Sequence, residues 1–356
     1  MSSLNELKQL GLKGMTFAFV LSGGGCTPKW NGQLPINDPS IVGPIKQYTS
    51  AGGGCIVSFG GAVAPYLENS CSSADQLAGA YKAVIDATGC NNIDLDMESH
   101  LNNIDMINQA LKKLQGMTGC GVSFTLAADE NGLNSMGMRI LNNAKSQGVN
   151  VDTVNPMCMN FRPSESLDSG VIKCARSVYK NIVSVWGSDA SYSMLGITPM
   201  IGTQDTGAGK DVFTLSGMHQ LVQWSQQNGA GHLAFWSLNR DNGGCPGNKQ
   251  ANWGCSGVSQ NQWDFTRAIL PFCSGSSVIK PHVPDPILDN SIEPSNDGKN
   301  TCNSGSSSAP FPGDCTKFYL CDNGSPTSTL SCGVGTVYNP SSKICDWPYN
   351  VPGCSD

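Results

Sequence analysis

The sequence predicts an α/β protein built on a (β/α)8 barrel, followed by a linker and a small disulfide-rich β domain. Short apolar segments alternate with amphipathic segments up to residue 273, residues 274–300 are rich in Pro, Ser and Asp, and six cysteines follow. Strand–helix alternation over this length is typical of a parallel sheet that closes into a barrel. We therefore predict a barrel domain at 1–273, a linker at 274–300 and a cysteine-rich domain at 301–356.

Seven segments of the large domain are candidate strands: 16–22, 55–58, 93–97, 122–127, 153–159, 194–201 and 232–237. Helices are predicted at 4–12, 74–88, 103–115 and 216–227. No strand precedes the opening helix, so we count seven strands and expect the first barrel strand to be missing from this chain. An open barrel would leave two unpaired strand edges, which destabilise a sheet protein and invite aggregation.

The composition excludes several classes of partner. The net charge is −6 with only 21 Lys plus Arg, and no basic run forms the concentrated positive surface that nucleic acid or an anionic membrane requires. No apolar run is long enough to span a membrane. An uncharged partner such as a polysaccharide suits this balance, and we expect a monomer.

Cysteine usage indicates an oxidising compartment. The 16 cysteines include no C-x-x-C pair and the four histidines are scattered, which favours disulfides over a metal site. We therefore expect a secreted protein with no metal and no cofactor. The opening residues lack the charged and apolar regions of a signal peptide, so secretion rests on the cysteines alone.

Three carboxylates fall on one face of a predicted strand. Asp94, Asp96 and Glu98 alternate with apolar residues, and residues two apart on a strand point the same way. Burying three carboxylates together is costly, and they cannot all ionise freely. An exposed edge strand or a calcium site are alternatives, but the apolar opposite face and the lack of a ligand-rich loop disfavour them. The pattern indicates catalysis.

The segment 91–98 resembles the D-x-x-D-x-D-x-E strand of the family 18 glycoside hydrolases, which are chitinases with a TIM barrel. Ser58, Gly60 and Gly61 match the S-x-G-G motif of that family, and Trp236 matches its eighth-strand tryptophan. Further matches to the sixth-strand M-A-M-D-Y motif of the bacterial-type subgroup are Met157, Met159, Asn160 and Phe161.

The resemblance implies a division of roles. Glu98 is the general acid, Asp96 orients the N-acetyl group of the substrate, and Asp94 completes the acidic set. The acetamido oxygen then attacks the anomeric carbon, a substrate-assisted retaining route. Coupled carboxylates should keep Glu98 protonated near neutrality.

The sequence departs from the family pattern at three positions. Asn91 replaces the first Asp of the strand motif, Asn160 replaces an Asp, and Phe161 replaces a Tyr. The last two changes remove a charge and a hydroxyl near the acid, so we expect shifted or reduced activity rather than its loss.

Sugar contacts are predicted at Trp236, Trp30 and Gln204, in addition to the motif residues. Trp236 ends the last strand, where barrel active sites lie, although many strand tryptophans are core residues. Trp30 follows a glycine-rich loop and could stack on a sugar or pack against the loop. Gln204 and Asp205 are candidates for hydroxyl contacts.

The last six cysteines define a small module. It cannot bury enough apolar surface without covalent links, and six cysteines allow fifteen pairings. Its spacing resembles the peritrophin-A, or family 14, chitin-binding module, which implies the pairs Cys302–Cys321, Cys315–Cys354 and Cys332–Cys345. Candidate sugar-binding residues are Tyr319, Tyr338, Asn339 and Trp347.

In the large domain, Cys245 and Cys255 resemble a local disulfide of the bacterial-type relatives, and Cys26 with Cys71 is a second candidate pair. Six cysteines cannot be paired from the sequence: Cys55, Cys90, Cys120, Cys158, Cys174 and Cys273. Cys158 lies within the sixth-strand motif and is a candidate free thiol.

Four functions fit the resemblance. The first is a chitinase whose tail module binds chitin. The others are an inactive chitin-binding lectin, a matrix protein with the barrel as spacer, and an endo-N-acetylglucosaminidase that acts on glycoproteins. The presence of Glu98 favours catalysis over the lectin and the matrix protein. A chitin-binding tail disfavours the last.

Overall fold

The computed structural model describes residues 2–206, 211–273, 302, 308–322, 324–332, 337–340, 343–346, 351 and 354. The chain divides into two compact units, Met1–Lys280 and Pro281–Asp356. The predicted linker 274–300 lies outside the described residues, so its bounds remain a prediction. Within the described parts of the chain, no helix combines the length and apolar composition that crossing a membrane requires.

The first unit alternates strands and helices. Its strands are β1 Gly14–Ser22, β2 Pro28–Trp30, β3 Leu34–Pro35, β4 Gly54–Gly60, β5 Asn92–Met97, β6 Gly121–Asp129, β7 Gly132–Leu133, β8 Thr153–Cys158, β9 Gly196–Ile197, β10 Gly202–Thr203, β11 Val212–Phe213 and β12 His232–Leu233. Its helices are α1 Ser2–Leu10, α2 Pro39–Ser50, α3 Leu67–Ser70, α4 Ala74–Thr88, α5 Ile104–Thr118, α6 Ser135–Ser146, α7 Leu167–Trp186, α8 Leu215–Asn228 and α9 Asp264–Cys273.

The strands that build the barrel pair in parallel and in chain order. Strand β1 pairs with β4, β4 with β5, β5 with β6, and β6 with β8. Isolated parallel bridges, Val154 to Leu195 and Met157 to Thr198, continue the path to β9, which pairs with β12. Within the described residues no strand pairs between β12 and β1, so seven strands are present, as the sequence predicts.

The predicted strand 194–201 is shorter than expected. Only Gly196–Ile197 forms a strand, and Met194 belongs to a 3-10 turn. Beyond Ile197 the pairing continues as isolated bridges, because Pro199 has no N–H to donate to the ladder. The Pro199 carbonyl still accepts from Trp236 N at 2.9 Å, and Ile201 N donates to the Trp236 carbonyl at 2.9 Å.

The helices begin and end at capping residues. Helix α4 starts after Ser73, whose side chain accepts from Gln76 N, and ends at Gly89 with φ 77°. Helix α5 starts after Asn103 and ends at Gly119 in the same left-handed conformation. Their apolar faces pack on the sheet, so the core lies between the strands and the helices.

Six disulfides join described cysteines: Cys26–Cys71, Cys55–Cys90, Cys158–Cys174, Cys245–Cys255, Cys302–Cys321 and Cys315–Cys354. The expectation that Cys158 is free was wrong, since it ties β8 to α7 through Cys174. Cys332 is also in a disulfide. The side chain of its predicted partner Cys345 lies outside the described residues. Cys120 and Cys273 are free thiols.

The second unit is built from short antiparallel strands. Strands β13 Ser308–Pro310, β14 Lys317–Asp322 and β15 Ser325–Ser331 form one sheet, and β16 Val337–Asn339 pairs with β17 Ile344–Asp346. Buried residues Ala309, Val337 and Tyr338 form a small core, so the disulfides supply covalent links that a core of this size needs.

Candidate active site

Strand β5 carries two acidic side chains on the same face. Its parallel neighbours place Ser58 of β4 and Ser123 of β6 level with Asp94, and Gly60 and Thr125 level with Asp96. Because side chains alternate along a strand, this face points away from the buried Ile93 and Leu95.

The carboxylate of Asp94 is buried and saturated with hydrogen bonds. Ser58 Oγ donates to its Oδ2 at 2.7 Å, and Ser123 Oγ donates to its Oδ1 at 2.7 Å. Thr125 Oγ1 lies 2.9 and 3.0 Å from its two oxygens. Burial raises the pKa of Asp94, and these hydroxyls oppose the rise. Ser58, predicted to contact substrate, is 1% exposed and instead orients Asp94.

The hydrogen bonds extend across the sheet from Thr125. Asn155 Nδ2 donates to Thr125 Oγ1 at 3.0 Å, and Thr198 Oγ1 donates to Asn155 Oδ1 at 2.9 Å. Sequence reasoning missed Ser123, Thr125 and Asn155. Their alternation with apolar residues, as in Val122–Phe124–Leu126, was the available signal. The network fixes the base of the site because the buried polar groups of Asp94, Thr125 and Asn155 are all hydrogen-bonded.

Asp96 differs from its neighbour. It is 7% exposed, and its Oδ1 is buried with no hydrogen-bond partner among the described residues. Burial, followed by the charges of Asp94 and Glu98, raises the pKa of Asp96 to about 9. Asp96 is therefore neutral near pH 7, and its carboxyl can donate a hydrogen bond to a ligand.

Glu98 lies just beyond the strand and is exposed to solvent. Partial burial of its carboxyl, followed by repulsion from Asp205, raises the pKa of Glu98. The backbone N–H groups of Glu98 and Ser99 each donate to Tyr66 Oη at 3.1 Å, and Tyr66 Oη donates to the Gly61 carbonyl at 2.5 Å. A buried tyrosine that the sequence did not reveal therefore fixes the backbone at Glu98.

Gly60 and Gly61 pack against the acidic strand. Both have positive φ, 95° and 87°. A Cβ on Gly60 would lie 2.1 Å from the Asp96 carbonyl oxygen, and one on Gly61 would lie 2.7 Å from the Phe19 ring. Gly61 N donates to that Asp96 oxygen at 2.8 Å. The glycines allow close approach of two backbones, so they shape the site rather than contact a ligand.

The predicted 157–161 motif reaches the same end of the barrel. Asn160 Nδ2 donates to Asp205 Oδ2 at 3.1 Å, and Asp205 N donates to Asn160 Oδ1 at 2.9 Å. Asn160 has φ 58°, and its N–H donates to Gln204 Oε1 at 3.0 Å. Met157, Met159 and Phe161 are half-buried.

Gln204 is not available for the predicted sugar contact. It is 2% exposed, and its Nε2 donates to the carbonyls of Met200 and Gly202 at 2.8 and 2.9 Å. Its Oε1 holds the Asn160 N–H and its Nε2 holds two carbonyls, so Gln204 is a positioning residue.

The two predicted aromatic contacts differ. Trp236 is 40% exposed, and its ring stacks on Phe19 with centroids 5.8 Å apart. Trp30 is 4% exposed, and its Nε1 donates to the Ile36 carbonyl at 3.2 Å. The prediction of Trp30 as a sugar contact was wrong, because the indole packs inside its own loop.

In the second unit, Tyr338 is a core residue rather than a sugar contact. It is 2% exposed, stacks on Phe318 at 4.7 Å, and donates from Oη to Ser308 Oγ at 2.8 Å. Tyr319 and Asn339 are half-buried and stay candidates. Trp347 lies outside the described residues.

Comparison with known proteins assigns both parts of the chain. The chitin binding Peritrophin-A domain family matches residues 302–354. A crystal structure of catalytic-site mutants of active domain 2 of a chitinase from Pyrococcus furiosus is 34% identical, with a TM-score of 0.69. That match covers 76% of this chain and 90% of the P. furiosus chain.

Two curated relatives are similar in sequence. A probable bifunctional chitinase/lysozyme from Escherichia coli (strain K12) is 30% identical over 72% of this chain, and endochitinase 11 from Metarhizium anisopliae is 31% identical over 55%. The matched regions are 31% and 42% of the lengths of those relatives. From the identity, the coverage and the shared fold, the chain belongs to the family 18 glycoside hydrolases and carries a chitin-binding Peritrophin-A domain.

Proposed function

We propose that this chain is a secreted chitinase that hydrolyses β-1,4-linked N-acetylglucosamine polymers with retention at the anomeric carbon. Residues 1–273 carry the catalysis, 274–300 act as a linker, and 301–356 bind chitin. The P. furiosus, E. coli and M. anisopliae relatives are all named as chitinases, which supports the substrate class.

The observation that carries the proposal is the contrast between the carboxyl groups of β5. Asp94 accepts hydrogen bonds at both oxygens, whereas Asp96 has a buried oxygen without a described partner. Glu98 is exposed at the end of the same face. Along this face, β5 therefore presents one carboxyl saturated with hydrogen bonds, one carboxyl with an unpartnered oxygen, and one accessible carboxyl just beyond the strand.

This arrangement fits a substrate-assisted reaction. Glu98 transfers its proton to the glycosidic oxygen as the bond from that oxygen to C1 breaks. The acetamido oxygen of the sugar that carries this C1 forms a bond to C1. A carboxyl oxygen of Asp96 accepts a hydrogen bond from the acetamido N–H and orients the group, which leaves the acetamido oxygen free to attack. Water then attacks C1 and gives a proton to the Glu98 carboxylate. The bond between C1 and the acetamido oxygen breaks, and the configuration at C1 is retained overall.

The exposed Trp236 supplies a surface for the sugar on which this reaction occurs. The apolar face of a pyranose ring packs well on an aromatic ring, and the polar edge of the sugar stays free for hydrogen bonds. Phe19 supports the indole from behind.

The Peritrophin-A domain keeps the enzyme on insoluble substrate. A tethered domain raises the local concentration of the catalytic unit at the polymer, so weak module binding is enough. Tyr319, Asn339 and Trp347 are its candidate contacts. The disulfides in both units support an extracellular location, where such bonds persist.

The test compares hexa-N-acetylglucosamine with its fully deacetylated counterpart. We expect the acetylated hexamer to be hydrolysed with the β-anomer as the first product detected by proton NMR, and the deacetylated hexamer to be inert. An α-anomer as first product, or equal hydrolysis of both hexamers, would contradict substrate assistance. Binding without turnover would indicate a lectin.

A further inference from the structure

Trp253 is the most exposed large apolar side chain among the described residues, with 82% of its surface accessible. Three other tryptophans, Trp30, Trp224 and Trp263, are less than one tenth exposed. An indole is mostly apolar surface, and water contact over that surface is unfavourable. Trp253 therefore contributes little to the core of the unit in which it lies.

The backbone that carries Trp253 is held firmly on both sides. Asn252 O accepts from Arg240 Nη1 at 2.6 Å, and Gly254 O accepts from Asn242 Nδ2 at 2.8 Å. Gly254 N donates to Asn252 Oδ1 at 2.8 Å, and the Cys245–Cys255 disulfide closes the loop. Trp253 is thus presented at the tip of an anchored turn rather than on a frayed segment.

The same anchor fixes where the loop lies. Arg240 is 2% exposed, and its Nη2 also donates to the carbonyls of Ile201 at 2.9 Å and Thr203 at 2.6 Å. These carbonyls lie past the C-terminal end of β9, and the loop itself follows Trp236. The loop is therefore attached to the barrel face to which Glu98 belongs.

The chemistry of the loop suits an uncharged sugar. Lys249 is the only charged residue between Cys245 and Cys255, and Asn248, Gln250 and Asn252 supply amides. We propose that Trp253 is a stacking site for an N-acetylglucosamine ring of the chitin chain, away from the ring that reacts at Glu98. This inference rests on the proposed function and extends it to longer substrates.

The test measures KM and kcat of the full chain for soluble hexa-N-acetylglucosamine and for a chromogenic disaccharide substrate. We expect Trp253→Ala to raise KM for the hexamer about tenfold and to leave the disaccharide kinetics unchanged, because only the longer chain reaches the turn. Trp253→Phe should recover part of the loss. Met117→Ala is the matched control, since Met117 is 51% exposed near the end of α5 at the opposite face.

The outcomes separate the two proposals. Suppose that the wild type turns over both substrates and that Trp253→Ala has the same KM for the hexamer as the wild type. This result would overturn the stacking site and leave the proposed function standing. If the wild type binds the hexamer without turnover, the proposed function fails, and the same variants then test the stacking site by their dissociation constants. Loss of self-association in Trp253→Ala at unchanged KM would identify a second copy of this chain as the occupant and would also overturn the site.

Discussion

At the scale of single residues, Glu98, the proposed acid, is influenced by a charge that lies far away in sequence. The family pattern places a carboxylate where this chain has Asn160, and Asn160 is hydrogen-bonded in both directions to Asp205. Repulsion from Asp205 is the second cause, after burial, of the raised pKa of Glu98. A carboxylate is therefore still present near the acid, although the motif has lost one.

We expect Asp205→Asn to move the alkaline limb of the pH–activity profile to lower pH. A general acid works only while protonated, so activity falls as pH rises through its pKa, and removal of a nearby negative charge lowers that pKa. The Asn side chain can still accept from Asn160. The measurement is kcat/KM for soluble hexa-N-acetylglucosamine as a function of pH. Asp189→Asn, the same substitution at an exposed position, is the control. An unmoved alkaline limb would show that Asp205 does not act on Glu98.

The sequence was sufficient to find the charged part of this site and insufficient for its neutral part. Asp94, Asp96 and Glu98 stand out because carboxylates two apart on an apolar strand demand an explanation. Thr125 and Asn155 do not, since neutral polar side chains are common on strands and only burial with a partner reveals their role. Trp30 was mistaken for a ligand contact for the same reason, because burial cannot be read from a loop sequence.

At the scale of elements, the contact between β4 and β5 depends on a residue without a side chain. We expect Gly60→Ala to lower the free energy of unfolding by about 1–3 kcal/mol, because the new Cβ would meet the Asp96 carbonyl and the backbone has positive φ. Urea unfolding measures the change.

Gly79 provides the matched control for that substitution. It lies on the exposed face of α4, and no atom outside its own helix backbone lies within 4 Å of the point that a Cβ would occupy. Gly79→Ala should therefore stabilise the helix by about 0.5–1 kcal/mol. Equal effects of the two substitutions would refute the close approach of the strands.

A helix with clear caps was predicted with the correct bounds, whereas a strand that contains a proline was predicted too long. Helix 74–88 has caps at both ends and matches α4 in its bounds. The predicted strand 194–201 is reduced to Gly196–Ile197 because Pro199 breaks the ladder, and the surrounding apolar run had masked that signal in the sequence. The disulfide between Cys158 and Cys174 joins a strand to the helix that follows it, a contact that only the fold defines.

At the scale of the whole molecule, a buried carboxyl outside the proposed site makes stability depend on pH. Glu68 is 0% exposed and accepts from Tyr81 Oη at 2.8 Å. Burial is the main cause that raises its pKa from 4.5 to about 7. The folded protein therefore holds this proton more tightly than the unfolded chain does, so its stabilising effect is complete below about pH 4.5 and is lost as pH rises through 7.

We expect Glu68→Gln to flatten this dependence. Between about pH 5 and pH 8 the variant should gain stability relative to the wild type, by up to roughly 3 kcal/mol, since the amide never ionises and can still accept from Tyr81. Urea unfolding midpoints at pH 5 and pH 8 measure this difference in stability. Glu6→Gln, the same substitution at an exposed position, is the control. Parallel pH profiles for wild type and Glu68→Gln would rule out the buried titration.

The most direct test of the proposed chemistry is the turnover of hexa-N-acetylglucosamine by the wild type, Glu98→Gln and the surface control Glu6→Gln. We expect Glu98→Gln to lose at least about 10²–10⁴-fold in kcat while it still binds the hexamer, because only the transferable proton is removed. Glu6→Gln should match the wild type. Comparable turnover by Glu98→Gln and the wild type would contradict the assignment of Glu98 as the acid, and with it the proposed role of β5.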